Sequence, residues 1–278
     1  MSLRGDFCGG GEVWMRENIN YLYDGGFEGM LCCIFEAFAR KERPGAILIG
    51  EPQQTSLFEE RWVESQPIRA NRVFNGLARK ISPDAARLVR GLYLTEHPEK
   101  ELLALDFTRL AFRVGRGVTA MRGDPVVAAA SAAVERALAE AHKYKGLLRF
   151  SDVGGALVAE IEPKNRVLPL FAGHFCGRYR NENFLIHDRT HHEVMIWQEH
   201  LLRYETVDRL TLPPVSEEEE ETRRLWRRFY NTIAIAAREN PRCRRTNMPK
   251  RYWNLLPELQ PEEERKDFGL PAAGRTVD

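Results

Sequence analysis

The pattern of apolar and polar residues divides the chain into a helical first half and a β-rich stretch that follows it. Residues 20–23 predict a short strand, and apolar positions spaced by three and four from Phe27 onward predict a helix. Residues 46–50 are typical of a second, buried strand. Four more helices are predicted before the β-rich stretch. Two of them begin with an N-cap residue and a first-turn proline, at Ser82-Pro83 and at Asp124-Pro125.

After Gly146 the period changes from helical to alternating. Residues 147–153 and 156–163 predict two strands, and Gly154-Gly155 between them is a hairpin signal. Residues 168–179 predict a short helix. A second predicted hairpin is formed by two stretches, 184–190 and 192–198. The order β-β-α-β-β predicts a small antiparallel sheet with a helix on one face.

One more helix is predicted near the C-terminus, after Pro213-Pro214. Ser216 and Glu219 have the spacing of a capping box, and Asn240-Pro241 is a stop signal. Its apolar face is expected to comprise Leu225, Trp226, Phe229, Tyr230, Ile233 and Ala237.

These elements predict an α+β fold. We expect a mainly helical region with a short N-terminal β element at 1–145, and the β-β-α-β-β unit with the basic C-terminal helix and arm at 146–258. A variable tail follows at 259–278. The same pattern is compatible with one compact domain.

Composition narrows the class of protein. The chain has 278 residues, of which 43% are hydrophobic and 29% are charged, as in globular proteins. No apolar run approaches the roughly 18 residues of a membrane helix, and the N-terminus lacks the hydrophobic stretch of a secretory signal. The five cysteines show no CxxC spacing, which argues against a disulfide framework, a zinc site or an iron–sulfur cluster. We predict a reduced, cytoplasmic protein with no membrane contact, no metal and no cofactor.

Charge is concentrated in one segment, although the net charge of the chain is only +1. Residues 222–251, the basic segment, carry ten arginines and lysines against one acid, Glu239. This excess predicts an anionic ligand, DNA or RNA. An alternative is a solvated helix face whose arginines pair with the glutamates at 217–221 or with acids of the tail. The candidate nucleic-acid-binding residues are Arg238, Arg242, Arg244, Arg245, Lys250, Arg251 and Tyr252.

Two aromatic residues stand together at the end of the basic segment. Trp253 either anchors the arm as a buried ring or leaves one face available for stacking, and we favour the buried anchor, because Leu255, Leu256 and Pro257 follow it. Tyr252 or the arginine planes would then stack on exposed bases.

Standard enzyme signatures are absent, since the chain has neither a Walker loop nor a GxSxG motif. The weak catalytic candidates are His187, Asp188 and His191, which crowd one hairpin. They form either a polar functional site or a structural turn. A third alternative is a metal site completed by His174 or Cys176 from the preceding helix.

Asp24 is a further weak catalytic candidate, in the glycine-rich stretch 23–29. Such a turn could expose backbone N–H groups to an anion. A tight turn in which the acid caps the following helix is the favoured interpretation.

Four stretches of sequence carry a resemblance to a known family. They are YLYDGGFEGMLCCIFEAF, RFSD…AEIEP…VLPLFAGHF, IHDRTHH and AREN-P…MPKRYW-LLPE. With them the chain resembles a bacterial family of DNA-metabolism or DNA-repair proteins, the domain of unknown function 4130. The resemblance covers most of residues 20–258. It implies a radical SAM protein as partner, and some relatives are fused to a uracil-DNA glycosylase domain. It implies no catalytic residue.

Three functions remain open, and whether the chain is an enzyme is undecided. The leading hypothesis is a nucleic-acid-binding component of a DNA repair or modification system that acts with a radical SAM partner. The second is a stand-alone hydrolytic or glycosylase-like enzyme that uses the hairpin at 187–193. The third is a protein–protein adaptor without nucleic-acid binding, which a large exposed apolar face would favour.

Overall fold

The chain has the predicted α+β fold. The computed structural model describes residues 18–51, 58–208, 210 and 216–259. Two compact units are formed. The first comprises Met1–His142 and Pro163–Leu170, and the second comprises Lys143–Glu162 and Phe171–Asp278.

A three-stranded parallel sheet lies in the first unit. Its strands are β1 (Ile19–Tyr23), β2 (Ala46–Ile49) and β3 (Glu59–Trp62), in the order β2-β1-β3. Helix α1 (Phe27–Arg40) connects β1 to β2, because parallel neighbours need a crossover. The predictions of β1, α1 and β2 are confirmed. β3 was not predicted, because its sequence, EERW, does not alternate between apolar and polar residues. None of its four residues is fully buried.

The remaining helices of this part of the chain follow the predicted order. They are α2 (Pro67–Gly76), a π-helical turn (Leu77–Ile81), α3 (Pro83–Tyr93), α4 (Lys100–Val114), a 3-10 turn (Val118–Ala120) and α5 (Pro125–Leu147). The predicted caps are confirmed. Ser82 Oγ accepts from the Ala85 N–H at 3.1 Å, and Asp124 Oδ1 accepts from the Val126 N–H at 2.8 Å.

Two buried tyrosines of β1 tie the sheet to buried acids. Tyr21 Oη donates to Glu42, which also pairs with Arg61, and Tyr23 Oη donates to Glu101 Oε1 at 2.8 Å. Burial, followed by the neighbouring carboxylate, raises the pKa of Tyr23 above its usual range. Both hydroxyls therefore stay protonated and act as donors, so that these polar groups are satisfied inside the core.

The second unit contains a five-stranded sheet. Its strands are β4 (Ser151–Val153), β5 (Ala156–Ile161), β6 (Phe184–Asp188), β7 (Glu193–Gln198) and β8 (Leu201–Thr206), in sequential order. Both predicted hairpins, β4–β5 and β6–β7, are confirmed. Gly154 and Gly155 have φ angles of 64° and 85°, as a two-residue hairpin turn requires.

The prediction of an antiparallel sheet is wrong for its central pair. β5 and β6 are parallel, with Leu157 opposite Phe184 and Ile161 opposite Asp188. Helix α6 (Leu168–Arg178) lies between them in the chain, so it carries the chain back to the end of the sheet at which β5 began. A βαβ crossover therefore joins the two hairpins.

The core of the second unit is largely aromatic. Phe150 makes edge-on contacts with Phe175 of α6 at 5.8 Å and with Phe184 of β6 at 5.6 Å. Phe171 packs on Phe175 at 5.1 Å and on Tyr144 at 6.3 Å. These rings join α6 to the sheet and to the end of α5.

The C-terminal part of the described chain is a series of short helices after one long one. They are α7 (Glu217–Ile233), a 3-10 turn (Ala236–Arg238), α8 (Pro241–Asn247) and two more 3-10 turns (Lys250–Leu255 and Pro257–Leu259). Ser216 Oγ accepts from the Glu219 N–H at 3.2 Å, as predicted. Pro213-Pro214 lie outside the described residues.

The predicted end of this helix is wrong. α7 ends at Ile233, so Ala237 lies beyond its apolar face. Asn240 instead caps α8, since its side chain accepts from the Cys243 N–H at 2.9 Å, and Pro241 is the first residue of that helix. The same Asn-Pro pair is a stop and a start signal, and here it starts a helix.

Candidate functional site

The basic segment, residues 222–251, forms an exposed surface in the second unit. α7 and α8 contain no buried residue. Most of the cationic side chains are exposed, while Arg223, Arg227 and Arg244 are partly buried. A row of charges held on short helices can follow a phosphate backbone.

Few of these cations are neutralised. Arg223 Nε pairs with Glu219 Oε1 at 3.0 Å, which is the predicted spacing of four residues within α7, and Arg244 Nη2 pairs with Glu239 Oε1 at 3.1 Å. Within the described part of the chain, the following have no carboxylate partner: Arg224, Arg227, Arg228, Arg238, Arg242, Arg245 and Lys250. Pairing with the glutamates at 217–221 therefore explains only part of the excess charge, and the tail acids after residue 259 lie outside the described residues.

Glu258 anchors the arm, residues 248–258, which follows α8. Its side chain is 3% exposed, and it accepts from Arg149 Nη2 at 2.7 Å and from Trp226 Nε1 at 3.0 Å. The Arg149 guanidinium also lies over the Trp226 ring, 5.7 Å from its centre. One buried carboxylate thus links α7, residue 149 and the last 3-10 turn.

Tyr252 and Trp253 have the reverse of their expected roles. Tyr252 is 2% exposed and packs edge-on against Tyr144, with ring centres 5.1 Å apart. Trp253 is half-buried, and its Nε1 donates to the Met248 carbonyl at 2.9 Å. Lys250 Nζ lies 6.0 Å from the Trp253 ring. Tyr252 is therefore the anchor, and Trp253 is the more exposed of the two rings.

α7 exposes its apolar residues instead of burying them. Leu225, Phe229 and Ile233 are 59%, 53% and 57% exposed. Their spacing of four places them in one row along the helix, which we call the apolar row. The helix contacts the sheet through a polar side, where Arg223 Nη2 donates to Ser151 Oγ at 2.5 Å. An exposed row of large apolar side chains is a feature of interaction surfaces.

Asp188, the last residue of β6, forms a hydrogen-bonded pair with His191 in the turn that follows. Asp188 is fully buried, and its Oδ1 accepts from the N–H groups of Thr190 and His191 at 3.0 and 3.1 Å. Its Oδ2 lies 2.7 Å from His191 Nδ1. When Nδ1 carries the proton it donates to this oxygen, and Nε2 is then the basic nitrogen. A histidine oriented by a carboxylate in this way has the arrangement of a general base. The same hydrogen bonds also stabilise a tight turn.

The other catalytic candidates do not join this pair. His187 precedes Asp188 in β6 and therefore points to the opposite face of the sheet. It is 7% exposed, and its Nδ1 lies 3.3 Å from Glu160 Oε1 on the neighbouring strand. Across the described ranges, no group of three or more His, Cys, Asp or Glu side chains could hold a metal ion.

Asp24 belongs to the first unit and caps its own turn. Oδ1 accepts from the Gly26 N–H at 2.9 Å, and Oδ2 accepts from Ser65 Oγ at 2.5 Å. The Asp24 carboxylate already accepts a hydrogen bond from the Gly26 N–H, which is the backbone donor that an anion would bind. This geometry favours a tight turn over an anion site, but Asp24 does not cap the helix, because Gly26 is the N-cap residue of α1 and no side chain caps that helix.

No sequence motif identifies the residues that hold these surfaces in place. Arg149, Glu160 and Glu258 make their contacts with residues far away along the chain. Each of the three is a charged residue next to an apolar stretch, and this pattern occurs too often in sequences to identify a site.

Among the described residues, no helix combines the length and the apolarity needed to cross a bilayer. The model of a protein family described as a domain of unknown function, DUF4130, matches residues 98–258. This is more than half of the chain, and the chain therefore belongs to that family. Neither the curated proteins nor the solved structures yield a match.

Proposed function

We propose that this chain is the nucleic-acid-binding component of a DNA repair or modification system that acts with a radical SAM enzyme. The observation that carries the proposal is the set of exposed cations on α7, α8 and the arm that lack carboxylate partners in the described chain. The bacterial DNA-metabolism role and the radical SAM partner rest on the resemblance of four sequence stretches to the family.

The arrangement of the cations suits a flexible or single-stranded nucleic acid. Arg238, Arg242 and Arg245 are spread over a 3-10 turn and a short helix, and do not form one straight recognition helix. The half-buried Trp253 lies next to Lys250 and can offer a ring face to an unstacked base. Phosphate contacts supply the affinity in such a mode, and they carry little sequence information.

The first prediction tests this surface with the double variant Arg244→Glu, Arg245→Glu. Removal of phosphate-binding cations should weaken binding of every oligonucleotide sequence roughly tenfold or more, since each charged hydrogen bond contributes about 1.5–3 kcal/mol. Binding of labelled single-stranded and duplex DNA and of RNA is measured by fluorescence anisotropy across a salt series. On single strands, the log–log salt dependence should become shallower by about 0.7 for each phosphate that is no longer neutralised.

The matched control is Arg116→Glu, Arg136→Glu. Both residues are exposed and belong to the first unit, and the pair changes the net charge equally. Its affinity should stay close to that of the unaltered chain. Equally weakened binding in both double variants would mean that net charge alone governs binding, and unaltered binding in the test variant would exclude the basic segment.

A protein–protein adaptor is the second candidate, and the apolar row of α7 favours it. Leu225, Phe229 and Ile233 lie beside Arg224 and Arg228, so the surface suits a partner with an apolar groove and an acidic rim. The radical SAM protein implied by the family resemblance is the partner to test.

The second prediction is that Phe229→Asp with Ile233→Asp abolishes co-purification with that radical SAM protein. Each charge would be buried without a partner in the complex, which is costly. Leu201→Asp is the matched control, because Leu201 is 55% exposed on β8. If the double variant still co-purifies, the apolar row is not the docking surface. Nucleic-acid affinity measured on the same proteins separates the two candidate functions.

A further inference from the structure

The first unit contains a cavity that no part of the proposed function uses. Its volume is about 290 Å³, and α1, α2, the π-helical turn and α4 contribute its walls. Phe38, Val73 and Phe112 supply apolar surface, while Arg72, Arg79 and Lys80 supply cations. All of these residues lie within Met1–His142.

The charge of the lining is of one sign. Three cationic side chains border the cavity, and no carboxylate of the described residues does. Arg79 and Lys80 are exposed, and no described carboxylate pairs with either of them. The cavity therefore attracts an anion, and the two adjacent cations are free to contact it.

An irregular helix places these two cations. Residues 77–81 form a π-helical turn, in which the Ser82 N–H donates to the Leu77 carbonyl at 3.0 Å. Leu77 and Ile81 remain in the core, at 0% and 5% exposed, whereas Arg79 and Lys80 between them are exposed. Such turns are rare and occur frequently at functional sites.

The apolar wall of the cavity is aromatic. The rings of Phe38 and Phe112 meet edge-on, with centres 5.7 Å apart. Gly76 makes room for this arrangement, since a Cβ at that position would lie 3.2 Å from Phe112 Cζ. A flat ring of a ligand could pack on this wall while its anionic group meets the cations.

We propose that this cavity binds a phosphorylated ligand with a flat ring, namely a single nucleotide. The volume is near the lower end for small-molecule sites, which fits one nucleotide and not a dinucleotide. Arg79 and Lys80 hold the phosphate, and Phe38 with Phe112 hold the base. The ligand is either a free mononucleotide or the 5′-phosphorylated end of a strand, which share this chemistry.

Calorimetric titration of the full chain with adenosine 5′-monophosphate tests the proposal. We expect saturable binding at one site per chain, with adenosine and inorganic phosphate each binding at least tenfold more weakly. Arg79→Gln with Lys80→Gln should weaken nucleotide binding at least about 100-fold, as expected when two charge-assisted hydrogen bonds are removed. Both residues are exposed, so the variant should keep its melting temperature. Arg116→Gln with Arg136→Gln is the matched control and should bind normally.

A Gly76→Ala variant tests the aromatic wall, because its methyl group pushes the Phe112 ring and should weaken nucleotide binding without altering phosphate binding. Absence of saturable nucleotide binding, or unaltered binding after substitution of Arg79 and Lys80, would overturn the proposal. Inorganic phosphate binding as tightly as the nucleotide would overturn the role of the rings.

The two ligand sources are separated in the background of Arg244→Glu with Arg245→Glu. A hexanucleotide that binds only when 5′-phosphorylated, and more tightly than the mononucleotide, identifies a strand end. If the mononucleotide and the 5′-phosphorylated hexanucleotide bind with equal affinity, the ligand is the free nucleotide. Because this background lacks the proposed nucleic-acid surface, nucleotide binding there is independent of that proposal.

Discussion

Gly29 of α1 has room for a hydrogen atom only. A Cβ at this position would lie 2.3 Å from Asp24 Oδ1, and 2.7 Å from both Ser65 Oγ and Tyr23 Cδ2. The two polar groups are hydrogen-bonded to each other, and the Tyr23 ring is fully buried. None of the three neighbours can move without breaking a hydrogen bond or disturbing core packing.

The third prediction is therefore that Gly29→Ala destabilises the chain by about 1–3 kcal/mol, although alanine is the better helix former. The midpoint of urea unfolding measures the effect. Gly173→Ala is the control, since Gly173 lies within α6 with no atom within 4 Å of its added Cβ. That variant should be more stable by about 0.5–1 kcal/mol. Equal responses at both glycines would contradict the steric argument.

Residue-scale predictions succeeded where the cause was local. The caps at Ser82, Asp124 and Ser216 follow from residues at most three positions apart, so the sequence reveals them. The roles of Tyr252 and Trp253 could not be predicted in this way. Tyr144, which lies far away along the chain, decides which of these two adjacent rings is buried.

At the scale of elements, β8 was missed because its turn carries no hairpin signal. Glu199 and His200 connect β7 to β8 with φ angles of 52° and 63°. A two-residue turn of this kind normally has Asn-Gly or Gly-Gly, as at Gly154-Gly155. Here two residues with side chains adopt the left-handed region, which costs free energy.

The fourth prediction follows from that turn. Glu199→Asn with His200→Gly should stabilise the chain by roughly 1 kcal/mol, because the new residues favour the same backbone conformation. Thermal unfolding measures the change. The reciprocal variant, Gly154→Glu with Gly155→His, should destabilise by a similar amount. A gain in stability from the reciprocal variant would show that turn conformation does not control these hairpins.

The elements themselves were largely predictable, and their pairing was not. Hydrophobic periodicity identified α1, α5 and α6 and both hairpins, since a helix or a hairpin depends on near neighbours. The direction of the β5–β6 pair depends on how α6 returns the chain. The sequence predicts the helix, but it does not predict the end of the sheet to which the helix returns the chain.

At the scale of the whole molecule, the chain passes between its two units three times. Pro163–Leu170 belongs to the first unit, where Glu140 accepts from the N–H groups of Lys164 and Asn165 at 3.1 and 2.9 Å. A net charge of +1 likewise conceals the location of the basic segment, which lies wholly in the second unit. Composition predicted a globular protein, and local charge counts predicted the candidate surface. The assignment of chain segments to the two units came only from the structure.

The parallel pairing of β5 with β6 has a consequence for how the sheet forms in time. The hairpin turns bring β4 to β5 and join β6, β7 and β8, and hairpins form within microseconds. β5 pairs with β6 only after a much longer loop, which contains α6, has closed. The chain loses conformational entropy in closing this loop before the new contacts compensate for the loss. The two halves of the sheet are therefore expected to exist before their junction. Core substitutions at that junction, such as Ala159→Gly or Ile186→Val, should slow refolding, whereas changes in the exposed β8 should mainly hasten unfolding.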